Sequence, residues 1–214
     1  MSKLTDITSA LADLNEDQAL QLVREALQDN IPPGDVLKAC QEGMNEVGTR
    51  FEAQDYFVSD LIMSGEIFKQ ISAVLGPHLK AGGQKSTGKV VFGTVKGDIH
   101  DIGKDIVVNM MKSAGLEVLD VGVDCPAERF VEALKETGAP VLGMSGLLTL
   151  AFDSMKETIE LLKKEGMRDK VKVMVGGAPV DATVCRAVGA DDWGADAQAA
   201  VRLSKAWNQA VAKA

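Results

Sequence analysis

Apolar positions recur with two different periods along the chain, and the change falls near residue 89. In the first half Ala19, Leu20, Leu22, Val23 and Leu27 follow a helical spacing, with Asn15 placed to cap that helix. Ile31-Pro32-Pro33-Gly34-Asp35 then interrupts it. Further helices are expected from Asp35 to about Ala53 and from Phe57 to about Val74, where Gly76-Pro77 should end the run. No convincing strand precedes residue 80, so this half reads as a small helical bundle.

After Lys89 short β-branched runs at Val90–Val95, Leu116–Val121, Val141–Met144 and Val171–Val175 alternate with stretches of helical period. That rhythm predicts an α/β unit built on a parallel sheet. Helices near Gly103–Ala114, Ala127–Thr137, Asp153–Lys164 and Pro179–Val188 would cover its two faces, with Asp196–Val211 closing the fold. Between the halves, Lys80–Lys89 is polar and glycine-rich and reads as a linker. The expected division is therefore 1–80 helical, 81–89 linker and 90–214 α/β. Ligands of such sheets sit outside the carboxyl ends of the strands, which directs attention to the loops after Val95, Met144 and Val175.

Composition narrows the function classes. The 214 residues are 46% hydrophobic and 25% charged, enough apolar material for a sizeable core. A net charge of −8 argues against a nucleic-acid binder, which needs a basic face. The opening MSKLTDITSALADLN has no basic segment followed by an apolar one, so no secretory signal is expected and the mature chain should start there. Val141–Phe152, the most apolar stretch, is too short and too interrupted to span a bilayer. Cys40, Cys125 and Cys185 are odd in number and widely spaced, which suits a reducing compartment, the cytoplasm.

Gly97–Asp105 lies between a strand and a helix and superficially invites a phosphate-binding reading. Its two glycines are separated by five residues where a P-loop has four, Asp105 stands where a hydroxyl belongs, and Asp98 and Asp101 would repel phosphate. What remains is Asp98 two residues before His100. In an extended segment the two can face the same side, so that the carboxylate accepts from one ring nitrogen while the other binds a metal. The same residues would also suit a hydrogen-bonded loop histidine and a helix cap. The loop at Met144–Thr149 offers two hydroxyls and a glycine, and Gly176-Gly177 removes two side chains at a strand end, as a close ligand or a tight turn requires.

Taken together, Asp98-x-His100-x-x-Gly103, 41 intervening residues, Ser145-x-Leu147, 28 more and Gly176-Gly177 resemble the DxHxxG…SxL…GG signature of cobalamin-binding domains. The resemblance implies a Rossmann-like, flavodoxin-like domain holding cobalamin base-off/His-on, as methylcobalamin or cob(I)alamin, with His100 as the lower axial ligand of cobalt. Asp98 would hold His100, with Ile99 and Asp101 flanking it. Ile102, Gly103 and Ile106 would line the slot for the nucleotide tail; Ser145, Leu147 and Thr149 would contact that tail, and Gly176 and Gly177 would leave room for it. A helical module before such a domain is similar to the corrinoid proteins of methyltransferase systems, including methylamine and methanol corrinoid proteins, and to the cobalamin-binding region of methionine synthase. There the module caps the upper cobalt face, and Phe51 and Val58 match its apolar contacts around the methyl group. Gly189–Ala197 resembles the closing loop of the family, with Trp193 at its aromatic position. One departure stands out: Ala151 occupies the place of the serine that extends the histidine–aspartate chain in methionine synthase.

The same resemblance implies a methyl carrier serving a substrate:corrinoid methyltransferase and an acceptor methyltransferase that uses tetrahydrofolate or a thiol, with a reductive-activation protein as a further partner. Such a chain would not be catalytically complete alone, and Lys80–Lys89 would let the cap swing aside. The competing readings are a B12-binding sensor or storage protein and the small subunit of an adenosylcobalamin-dependent mutase.

Overall fold

The computed structural model describes residues 2–79 and 86–212. They form two compact units that divide between residues 85 and 86. In the first, α1 (Lys3–Ala12), α2 (Glu16–Gln28), α3 (Pro33–Glu52) and α4 (Val58–Leu79) form a bundle around Ile7, Leu11, Val23, Val47, Ile67 and Ile71, all fully buried. Asn15 caps α2 by accepting from the Gln18 N–H, as its spacing predicts. Ser2 does the same for α1, a helix that the apolar pattern alone does not announce.

The expected stop at Gly76-Pro77 is not observed, because α4 runs through to Leu79. Proline forfeits one intrahelical hydrogen bond, and here it does so in the final turn, while Ile71 and Leu75 just before it are held in the core. Residues 80–85 of the expected linker lie outside the described residues. The remaining four are anchored to the second unit: both the N–H and the hydroxyl of Thr87 donate to Gly115, and Lys89 opens the first strand.

The second unit is a five-stranded parallel sheet of β1 (Lys89–Thr94), β2 (Glu117–Asp120), β3 (Val141–Ser145), β4 (Lys172–Gly176) and β5 (Asp192–Gly194), in the order β2-β1-β3-β4-β5. The helices are α5 (Ile102–Ser113), α6 (Ala127–Thr137), α7 (Ala151–Lys164), α8 (Ala182–Val188) and α9 (Ala197–Ala212). Val91, Leu142 and Val173 sit in register and face Phe130 and Leu134 of α6 and Met155 and Ile159 of α7. Val90, Phe92, Val141 and Met174 alternate to the opposite face, on the side of α5 and α9. Gly143 is required there, because a Cβ would run into the Phe92 ring on the neighbouring strand. Strand order reverses between β1 and β3, which fixes where a crevice can open. No helix among the described residues is long and apolar enough to cross a membrane.

Candidate functional site

Register across the sheet aligns Thr94, Ser145, Gly176 and Gly194 in one row at the carboxyl edge. Just beyond it a cavity of about 470 Å³ is lined by Ile99, His100, Asp101, Ile102, Gly103, Ser145, Leu147, Gly177 and Ala178. Three loops far apart in sequence meet at the crevice that strand reversal opens. Of the residues expected there, Asp98, Thr149, Gly176 and Ile106 are not in the lining: Asp98 is fully buried, Thr149 is exposed in the turn before α7, and Ile106 is half-buried on α5. Ala178 is present without having been expected. Phe51 and Val58 belong to the helical unit, where Phe51 is half-buried and Val58 exposed.

Asp98 is fully buried and accepts four hydrogen bonds. Its Oδ1 takes the His100 N–H at 3.0 Å and the His100 ring Nδ1 at 2.6 Å. Its Oδ2 takes the Leu147 and Leu148 N–H groups at 2.6 and 3.0 Å. Burial pushes this carboxyl up, and the hydrogen bonds from His100, Leu148 and Leu147 more than reverse that, holding it at about 2. An ionised carboxylate can only accept, so Nδ1 of His100 carries the hydrogen. Nε2 is left without a partner among the described residues, on a side chain that is 48% exposed.

The loop that carries this pair is braced from the β2 side. Asp124 adopts φ 50°, accepts the Gly97 N–H at 2.7 Å and donates its own N–H to the Asp98 carbonyl at 2.9 Å. Thr94 donates its hydroxyl to the His100 carbonyl at 3.1 Å. Lys104, buried near the start of α5, pairs with Asp120 at the end of β2 and with Asp105 at 2.6 Å. These braces escape a motif reading because each acts on backbone or lies on another strand.

On the far side, Gly146 donates its N–H to the Gly176 carbonyl, and a Cβ on Gly177 would collide with the Gly146 carbonyl oxygen. Gly177, at φ +133°, is thus glycine because two loops touch as well as because it borders the cavity. Ile99 and Ile102 flank His100 at 72% and 70% exposure, an apolar rim that solvent alone would not favour. Among the described residues no group of three or more His, Cys, Asp and Glu side chains could hold a metal ion. A metal bound through His100 must therefore bring its other ligands with it.

A family model described as a B12 binding domain matches residues 88–202, and a second of the same description matches residues 4–75. The dimethylamine corrinoid protein 3 of Methanosarcina acetivorans is 39% identical over 203 residues, covering 94% of this chain and 95% of that one. The crystal structure of a cobalamin-binding protein from Desulfitobacterium hafniense is 40% identical, with a TM-score of 0.82 and coverage of 95% of this chain and 98% of that chain. The methanol:cobalamin methyltransferase complex of Methanosarcina barkeri has the same fold, at 24% identity and a TM-score of 0.83 over 97% of this chain and 80% of that chain.

Proposed function

Because the chain belongs to the corrinoid-protein family, whose cofactor is cobalamin, we propose that it is a methyl carrier that holds cobalamin base-off through His100. When bound, the cofactor supplies a cobalt centre that can accept a methyl group and release it again. The residues present fit such a group. His100 offers a single unpartnered Nε2 at the mouth of a cavity with apolar walls, which matches a metal that arrives already caged in its own macrocycle.

The observation that carries the reading is the hold of Asp98 on Nδ1. By fixing the hydrogen there, the carboxylate leaves the Nε2 lone pair available and sets the direction of the ring. Ile99, Ile102 and Leu147 would cover the apolar edges of the ligand and keep water from Nε2. Ser145, whose hydroxyl has no partner among the described residues, would offer a hydrogen-bond donor and acceptor inside the cavity.

Both half-reactions are assigned to partners: a substrate:corrinoid methyltransferase, an acceptor methyltransferase and a reductive-activation protein. The test is absorbance spectroscopy on the cobalamin-loaded protein. Wild type should show imidazole coordination, and its spectrum should change and recover on addition of a methyl donor with its methyltransferase, then an acceptor. His100→Ala should lose the imidazole signature while retaining weakened corrinoid binding. Imidazole coordination that survives His100→Ala would exclude the assignment.

A further inference from the structure

We infer that Thr94 is a positioning residue for His100. The proposal deepens the reading of His100 as the axial ligand and rests on it. Thr94 is the last residue of β1 and is fully buried. Its backbone is held at the edge of the sheet: it pairs with Ser145 of β3, its N–H donates to the Gly122 carbonyl at 2.9 Å, and its carbonyl accepts from the Cys125 N–H at 3.0 Å, both in the loop after β2. From that fixed point the hydroxyl reaches forward across the loop to the His100 carbonyl at 3.1 Å.

His100 is consequently gripped at three atoms. Asp98 takes its N–H and its ring Nδ1, and Thr94 takes its carbonyl. The two grips differ in kind. Asp98 holds the N–H and the ring, and is itself held by the Leu147 and Leu148 N–H groups after β3, but it leaves the His100 carbonyl free to turn. Thr94 ties the far end of the residue to the rigid strand. It does so immediately before Asp101, whose carbonyl starts α5 by accepting the Asp105 N–H. With both grips in place, Nε2 has one direction; without the hydroxyl, the peptide after His100 can turn and carry the ring with it.

Thr94→Val removes the donor and keeps the shape, and Thr94→Ser restores the donor. The probe is cob(II)alamin bound to the full chain grown with nitrogen-15, read by electron paramagnetic resonance. Its unpaired axial electron splits into a doublet for a labelled protein nitrogen and a triplet for the unlabelled base of the cofactor. Wild type should give the doublet. Thr94→Val should raise the cobalamin dissociation constant roughly tenfold, as expected for loss of one positioning hydrogen bond, and should weaken the doublet while the apoprotein Tm stays within a few degrees. Thr94→Ser should return both to wild-type values.

A Thr94→Val protein with the wild-type doublet and affinity would overturn the inference while leaving His100 as the ligand. So would a Thr94→Ser protein as impaired as Thr94→Val. If Thr94→Val does not fold, Thr94→Ala is measured in its place; failure of both to fold would make Thr94 a folding residue only, against the inference. A triplet in wild type would remove the axial-ligand reading itself, before any variant is made.

Discussion

Leu147 donates its backbone N–H to Oδ2 of Asp98 at 2.6 Å, across 49 residues of sequence, and so ties the end of β3 to the loop that follows β1. With the Leu148 N–H also on Oδ2, that oxygen faces two amides and no side-chain hydroxyl. Ala151, buried at the start of α7, supplies none. The chain of hydrogen bonds that begins at His100 thus ends on backbone, and the departure at position 151 in the sequence has its structural counterpart here. Asp98 orients the imidazole and closes the crevice in one act.

Replacing Asp98 with Asn tests that dual role. The amide can present its oxygen to only one of the two sides, so either His100 or the Leu147–Leu148 pair faces an N–H group. Loss of a partner that orients a metal-binding histidine typically costs roughly ten- to a hundredfold in affinity. Cobalamin titration followed by absorbance should show a rise of that size for Asp98→Asn. A wild-type dissociation constant would leave Asp98 with no part in orienting the imidazole.

The same carboxylate makes a pH prediction. Asp98 is lowered from its ordinary 3.8 to about 2, so its stabilising contribution is present above pH 4 and is lost as pH falls toward 2. The amount is about 2 kcal/mol for such a shift. Urea unfolding of the full apoprotein should find wild type more stable than Asp98→Asn at pH 7, with the gap shrinking between pH 4 and pH 2. A gap independent of pH across that window would mean the native carboxyl is not depressed.

Much of this was legible in the sequence because the signals were local. Pro126 and Gly138 bracket α6, and the β-branched runs at Val90 and Val141 became β1 and β3 within a residue or so. β5 carried no such signal: its three residues, Asp192–Gly194, are half-buried throughout and are a strand only because β4 pairs with them. At the site, the spacing of Asp98 and His100 allowed the hydrogen bond between carboxylate and ring that the structure contains, and the resemblance singled it out. The amides of Leu147 and Leu148 could not be predicted, since a backbone N–H has no residue identity to read. The grip of Thr94 on His100 was equally silent, because it depends on where β1 ends relative to the loop.

Gly177→Ala should damage the fold before it damages chemistry. The new methyl group would meet the Gly146 carbonyl, which belongs to the backbone and cannot rotate away, and φ +133° is itself costly for alanine. The loops after β3 and β4 must separate, at about 2 kcal/mol or more. Calorimetry of the apoprotein should show a clear fall in Tm. Wild-type Tm would indicate that the contact between these loops relaxes freely.

Ile102→Asp should do the reverse, weakening ligand binding without harming the fold. Ile102 is 70% exposed and contributes little to the core, and it is the first residue of α5, where a negative charge is favoured by the helix dipole. Apoprotein stability should therefore hold within about 0.5 kcal/mol. The side chain borders the cavity beside His100, so a ligand edge resting there would bury it. Forfeiting that burial is worth about 1.5 kcal/mol or more, or roughly tenfold in the dissociation constant. Cobalamin titration and chemical unfolding of the same preparation separate the two effects. Unchanged affinity would place the ligand elsewhere than against the rim formed by Ile99 and Ile102, whereas a loss of stability matching the loss of affinity would make the rim part of the fold.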